Sequence, residues 1–127
     1  MLNTSDTVTV GRAAVLLVVV ASINALVSTG FATAYVFATP SDPTAGYALV
    51  RAVVLAVVLV VAVSKRSAAA IIVSGLALTL AQVGDAVVGF RGGSLPTTIG
   101  PLVIALATLV SLIAFQRSLR SAAYTSR

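Results

Sequence analysis

The sequence predicts an all-α integral membrane protein: a single domain over residues 1–127, built as a bundle of four transmembrane helices. Of the 127 residues, 59% are hydrophobic and only 9% are charged, whereas a soluble domain carries about 25% charged residues. The mean hydropathy is +1.13, and a soluble domain of this size has too much surface to hide so many apolar side chains. The lipid bilayer is therefore the first partner that we expect.

The composition also excludes several classes of chemistry. The chain has no histidine and no cysteine, so zinc, haem and iron–sulfur sites lack their usual ligands. Ser–His–Asp and Cys–His catalysis are excluded within one chain for the same reason. We expect no metal site and no cofactor. The net charge of +5 does not indicate a nucleic-acid partner, because the basic residues cluster at the ends of apolar segments, where membrane surfaces attract them.

The first predicted span covers residues 13–38. Arg12 precedes it, as a basic residue precedes the apolar core of a signal peptide, but here the apolar run continues past Asn24 to Phe37. A signal core has only about 7–15 residues. We therefore expect a retained span that follows a polar tail, residues 1–10.

The second and third spans are predicted at residues 47–63 and 68–90, close to the roughly 20 apolar residues that cross a bilayer. Pro40, Asp42 and Pro43 mark the loop before the second span. Only residues 64–67 separate the two spans, and so short a turn predicts an antiparallel hairpin.

The fourth span is predicted at residues 95–115, after a loop that contains Gly92 and Gly93, and a polar tail follows at residues 117–127. Six of the eight basic residues would lie on one side of the membrane: Arg12, Lys65, Arg66, Arg117, Arg120 and Arg127. Positive charge favours the cytoplasmic side. We therefore expect a multi-pass protein of the plasma membrane with both termini in the cytoplasm.

Asp85 is the residue that stands out, because it lies inside the third span. An ionised group costs roughly 2.5 kcal/mol or more at the bilayer centre, so such a group usually faces a partner or a cavity. Arg51, in the second span, is the partner that the hairpin brings to the same depth in the outer half of the membrane. Arginine can bind a carboxylate through two parallel hydrogen bonds. The sequence thus predicts an intramembrane Arg51–Asp85 site, which either staples the helices or handles a ligand.

Helical spacing places further polar residues towards that site. Asn24 and Tyr35 belong to the first span, Tyr47 precedes Arg51 by one turn, and Gln82 precedes Asp85 by three residues. If these faces converge, they enclose a polar pocket that opens to the outside. The alternatives are interhelical hydrogen bonds for the two amides and anchoring at the membrane interface for the two tyrosines.

Gly46 and Arg51 at the start of the second span, the basic turn at Lys65 and Arg66, and the sequence Gly-Asp-Ala around Asp85 carry a family resemblance. Over about residues 44–115 the chain resembles a small family of four-span membrane proteins related in outline to the DoxX-like group. The resemblance implies a four-helix bundle in which Arg51 and Asp85 are the positions of interest. It implies no particular activity.

Two functions follow as hypotheses. In the first, the pocket binds or transforms a small lipophilic molecule. Asp85 and Arg51 would be catalytic, and Asn24, Tyr35, Tyr47 and Gln82 would bind the ligand. Isomerisation, cyclisation or ring-opening would suit a cofactor-free isomerase, cyclase or hydrolase, because these reactions need only placed proton donors and acceptors. In the second, the protein is a non-enzymatic accessory subunit or a small carrier that works as a homo-oligomer.

Overall fold

The computed structural model describes the backbone of residues 4–125 and the side chains of residues 11–124. This part of the chain contains four helices and no strand: α1 Thr4–Ala38, α2 Pro43–Ser64, α3 Ala68–Arg91 and α4 Leu95–Thr125. Each helix is long and apolar enough to cross a membrane. The predicted fold class is confirmed, and the chain is a multi-pass helical membrane protein.

Two of the helices extend beyond the predicted spans. Helix α1 already begins at Thr4 and α4 continues to Thr125, through stretches that the sequence predicts as polar tails. At 1.5 Å per residue, α1 and α4 are about 52 and 46 Å long, against about 33 and 36 Å for α2 and α3. The physical reason in α4 is that most residues after Phe115 are polar or basic but none is glycine or proline, so the apolar span ends while the helix continues.

Capping side chains in the preceding loops fix the starts of α2 and α3. The Asp42 side chain accepts a hydrogen bond from the Thr44 amide at 2.8 Å, and Pro43 occupies the first helical position of α2. Ser67 plays the same part for α3, since its hydroxyl accepts from the Ala70 amide at 3.3 Å. These are the residue types that helix N-termini prefer.

The four helices form a bundle in which neighbours along the chain are also neighbours in space. Helices α3 and α4 pack most extensively, and α1 packs on both α2 and α4. Helices α2 and α3 make the sparsest contact among these neighbours. Across the bundle α1 touches α3, whereas α2 and α4 have no contact within the described residues. The α1–α3 direction is therefore the short diagonal of the bundle.

The buried apolar residues form two layers. We call the first the inner layer, and every helix contributes to it: Leu17, Ala62, Ile71, Leu112 and Phe115. The second layer comprises Ala21, Ala25, Leu59 and Leu78. At the far end of α3, Gly89 lets α4 approach closely, because a Cβ atom there would lie 2.5 Å from the Thr97 carbonyl oxygen. Most of the remaining large apolar side chains point outward, where a bilayer would surround them.

Candidate functional site

Arg51 and Asp85 form an ion pair where α2 meets α3. Arg51 Nη2 lies 2.5 Å from Asp85 Oδ1. Arg51 is eight residues into α2 and Asp85 is six residues before the end of α3, which places them about 12 and 9 Å from those helix ends. Because the two helices are antiparallel and these ends share one side of the bundle, the two charges meet at a similar depth.

The pair is neither buried nor saturated with hydrogen bonds. The Arg51 side chain is 36% exposed and that of Asp85 is 33% exposed, at the sparsest of the neighbouring helix contacts. Arg51 Nε is buried and has no hydrogen-bond partner among the described residues. A guanidinium has five N–H donors, and the bond to Asp85 uses one of them. The site therefore keeps an accessible face and unused donors.

A second polar cluster lies inside the bundle, and we call it the amide network: Asn24, Ser28, Gln82 and Thr108. Gln82 Nε2 donates to Asn24 Oδ1 at 2.6 Å and to Ser28 Oγ at 2.5 Å. Asn24 Nδ2 donates to Thr108 Oγ1 at 3.1 Å. Asn24 is fully buried and Gln82 is 4% exposed. The network ties α1, α3 and α4 together.

The amides of Asn24 and Gln82 thus bond to each other and to hydroxyl groups of the same chain. This arrangement satisfies polar groups that would be costly in an apolar interior. A ligand-binding role for these two residues stays a prediction. Thr108 is the partner that the sequence analysis missed, and no signal beyond a hydroxyl in an apolar span marks it.

Tyr35 bonds to the loop between α1 and α2. Its hydroxyl donates to Asp42 Oδ2 at 2.6 Å, while Asp42 Oδ1 accepts from the Thr44 amide at 2.8 Å. The hydrogen bond from Tyr35, followed by those from Thr44, lowers the pKa of Asp42 from its ordinary value. The Asp-Pro pair before α2 was a visible sign of this helix cap, but the bond from Tyr35 was not anticipated.

Tyr47 is 73% exposed on α2, one turn before Arg51. Two shallow surface concavities lie on α1, and neither is lined by a predicted site residue. The six predicted residues are therefore brought together in part. Arg51 meets Asp85 and Asn24 meets Gln82, whereas Tyr35 bonds to Asp42 and Tyr47 lies one turn before Arg51 on the same helix.

Comparison with known proteins does not assign a function to these residues. The resemblance to the DoxX-like group therefore stays a prediction. No family model, curated protein or solved structure matches the chain.

Proposed function

We propose that the protein binds a small lipophilic molecule at the Arg51–Asp85 pair. The polar group of the molecule bonds to the pair, and its apolar body lies against α2, α3 and the surrounding lipid. One observation carries this proposal: Arg51 Nε is buried without a partner while the side chains of the pair remain about one third exposed.

A polar group that is buried without a hydrogen bond costs free energy, and Arg51 Nε is such a group. The pair lies within two candidate membrane spans, so a bound polar group that completes its hydrogen bonds is strongly favoured. Because Arg51 supplies donors and Asp85 supplies acceptors, the best complement is a group that both accepts and donates, such as a carboxylic acid or an amide.

The surface around Arg51 suits the apolar part of such a molecule. Tyr47, Val54 and Val58 share a face of α2 with Arg51 by helical spacing, and all three are exposed. This face therefore combines one polar group, the Tyr47 hydroxyl, with an apolar surface formed by valine side chains. Tyr47 is thus the predicted ligand-binding residue that best fits this site.

A reaction at the same site would use Asp85 as the group that takes or gives a proton. Arg51 would stabilise the negative charge that develops on the substrate or on the carboxylate. Isomerisation, cyclisation or ring-opening would need nothing more than these two groups.

Assembly with a second chain is the alternative function. Helix α2 buries only four residues, Ala45, Ala52, Leu59 and Ala62. Seven of its eight valines are exposed. A second copy or an accessory partner that packed there would also cover the ion pair.

The test is to identify the small molecules that copurify in mild detergent by mass spectrometry, and to measure the mass of the complex by light scattering. The wild type is compared with Arg51→Gln and Asp85→Asn. Arg91→Gln is the matched control, since Arg91 is an exposed arginine at the same end of the bundle. We expect one compound in constant ratio to the protein in the wild type and in the control, and its loss from both site variants.

Two outcomes contradict the binding proposal. One is a wild type that carries no compound, and the other is a compound that the site variants retain. A larger complex without a compound, which Arg51→Gln and Asp85→Asn disrupt, would favour assembly instead.

A further inference from the structure

Five basic residues surround one end of the bundle, and we call them the basic ring: Arg12, Lys65, Arg66, Arg117 and Arg120. All five are exposed. They come from the start of α1, from the turn between α2 and α3, and from the last part of α4. Helices α1 and α4 and the turn between α2 and α3 therefore bring positive charge to this end.

The inner layer fixes the depth of the basic ring. Each helix contributes a residue to that layer. Along the chain, each ring residue is two to five residues away from the nearest residue of the layer, on the side that faces this end of the bundle. For example, Arg12 precedes Leu17 by five residues and Arg117 follows Phe115 by two. At 1.5 Å per residue, the ring lies about 3–8 Å beyond the layer. Such a narrow band of charge next to an apolar layer matches the headgroup level of a membrane.

No described side chain neutralises the ring. The acids among the described side chains are Asp42 and Asp85, and both belong to the opposite half of the bundle. The one ion pair among these side chains joins Arg51 to Asp85. Among the described side chains, the ring thus has no acidic partner.

A shallow apolar groove lies on the surface of α1 at the ring. Five residues of α1 line it: Gly11, Arg12, Val15, Leu16 and Val19. The groove is open to the surface and almost entirely apolar. The groove therefore combines the Arg12 cation at the headgroup level with an apolar surface that a hydrocarbon chain can contact.

We propose that the basic ring is a binding site for anionic phospholipids of the leaflet at this end. The phosphate group lies against the ring, and one acyl chain lies in the groove beside Arg12. Charge complementarity identifies the occupant, because juxtamembrane clusters of lysine and arginine attract anionic lipid headgroups. The groove favours a lipid over free phosphate, which has no apolar part.

The experiment measures the melting temperature of the full chain in detergent micelles that contain either phosphatidylglycerol or phosphatidylcholine. We expect a saturable rise with phosphatidylglycerol alone, which decreases at high salt. The double variant Arg117→Gln/Arg120→Gln should lose a large part of this rise. The matched control Arg91→Gln removes an exposed arginine from the opposite end and should keep the full rise.

Further arms keep the outcome unambiguous. Arg117→Lys/Arg120→Lys retains the charge and should keep the rise, which separates charge from a folding defect. Native mass spectrometry of the wild type in an equal mixture of both lipids should show phosphatidylglycerol retained. Equal rises with both lipids, an equal loss in Arg91→Gln, or a similar rise with glycerol phosphate in phosphatidylcholine would overturn the proposal.

Discussion

Exposure decides how the Arg51–Asp85 pair should respond to substitution. Removing one partner of a fully buried ion pair costs about 3–5 kcal/mol, because it leaves an uncompensated charge in the interior. Exposed pairs contribute about 0–1 kcal/mol. With about one third of each side chain exposed, a lone Arg51 or Asp85 can still reach water or detergent headgroups.

We therefore expect Asp85→Asn and Arg51→Gln each to lower the free energy of unfolding by about 1 kcal/mol or less. The double variant should lose no more than the sum of the two. Equilibrium unfolding by dodecyl sulfate in mixed micelles measures all three variants. Losses near the buried-pair value that the double variant recovers would identify a structural staple and remove the main support for ligand binding.

The amide network predicts a different pattern at Thr108. Thr108→Val removes the acceptor of Asn24 Nδ2 and leaves a buried donor without a partner. The expected loss of stability is about 1–2 kcal/mol, above the membrane average of about 0.6 kcal/mol for an interhelical hydrogen bond.

Thr79→Val is the matched control. Thr79 is buried, and like Thr108 its hydroxyl donates to the carbonyl four residues earlier, but it receives no bond from another helix among the described residues. The same unfolding assay should show little change. Equal losses for the two variants would mean that the Asn24 bond contributes nothing.

Sequence reasoning reached the polar residues but not all of their partners. Helical spacing placed Asn24 and Gln82 on inward faces, and both are buried. Whether two inward amides meet each other or face a pocket depends on the relative rotation and height of α1 and α3. Those quantities are set by side-chain packing between helices, which the spacing within one helix does not encode.

At the scale of the helix, Gly89 sets the distance between α3 and α4. An added Cβ would lie 2.5 Å from the carbonyl oxygen of Thr97, which is backbone and does not move aside as a flexible side chain does. Gly89→Ala should therefore destabilise by about 1–3 kcal/mol, the usual cost of overpacking.

Gly84→Ala provides the comparison within the same helix. Nothing lies within 4 Å of a Cβ at Gly84, and alanine is a better helix former than glycine by up to about 1 kcal/mol in water. We expect unchanged or slightly higher stability in the same unfolding assay. A neutral Gly89→Ala would show that α3 and α4 separate easily.

The start of α2 predicts a dependence on pH. Because the pKa of Asp42 is lower in the folded protein than in the unfolded chain, its carboxylate stabilises the fold above the unfolded pKa. This stabilisation is lost as the pH falls through the folded pKa. Thermal melts from neutral to strongly acidic pH should show the loss only at the acid end.

Substitutions separate the two roles of Asp42. Asp42→Asn keeps an N-cap side chain but removes the titration, so its acid-end loss should be smaller than that of the wild type. Tyr35→Phe removes the largest cause of the lowered pKa, so its loss should be smaller and should be complete at a higher pH. An unchanged pH profile in both variants would show that another group governs the acid sensitivity.

The helices themselves were largely predictable, except for the start of α1 and the end of α4. Apolar length and the loop residues located α2 and α3 to within a few residues. The continuation of α4 past Phe115 was not predicted, since hydropathy reports where a membrane ends rather than where a helix ends. The helix-forming character of residues 116–125 would have been the relevant signal.

For the molecule as a whole, the side of the membrane on which each end lies is the next property to test. The chain has no cysteine, so single cysteines can be introduced without a background. Ser41 and Ser64 are both exposed and lie at opposite ends of α2. In intact cells a membrane-impermeant maleimide should label Ser41→Cys, whereas Ser64→Cys should react only after permeabilisation. The reverse pattern would place the basic ring outside.

The amide network has a consequence for the order in which the protein is made. Gln82 follows Asn24 by 58 residues and Thr108 follows it by 84. At a synthesis rate of about 5–20 residues per second, these partners leave the ribosome roughly 3–12 s and 4–17 s after Asn24. During that interval Asn24 has neither of its hydrogen-bond partners from other helices. The insertion of the first span must therefore be driven by its own apolar side chains, and the arrival of α3 and α4 completes the hydrogen bonds that hold it in place.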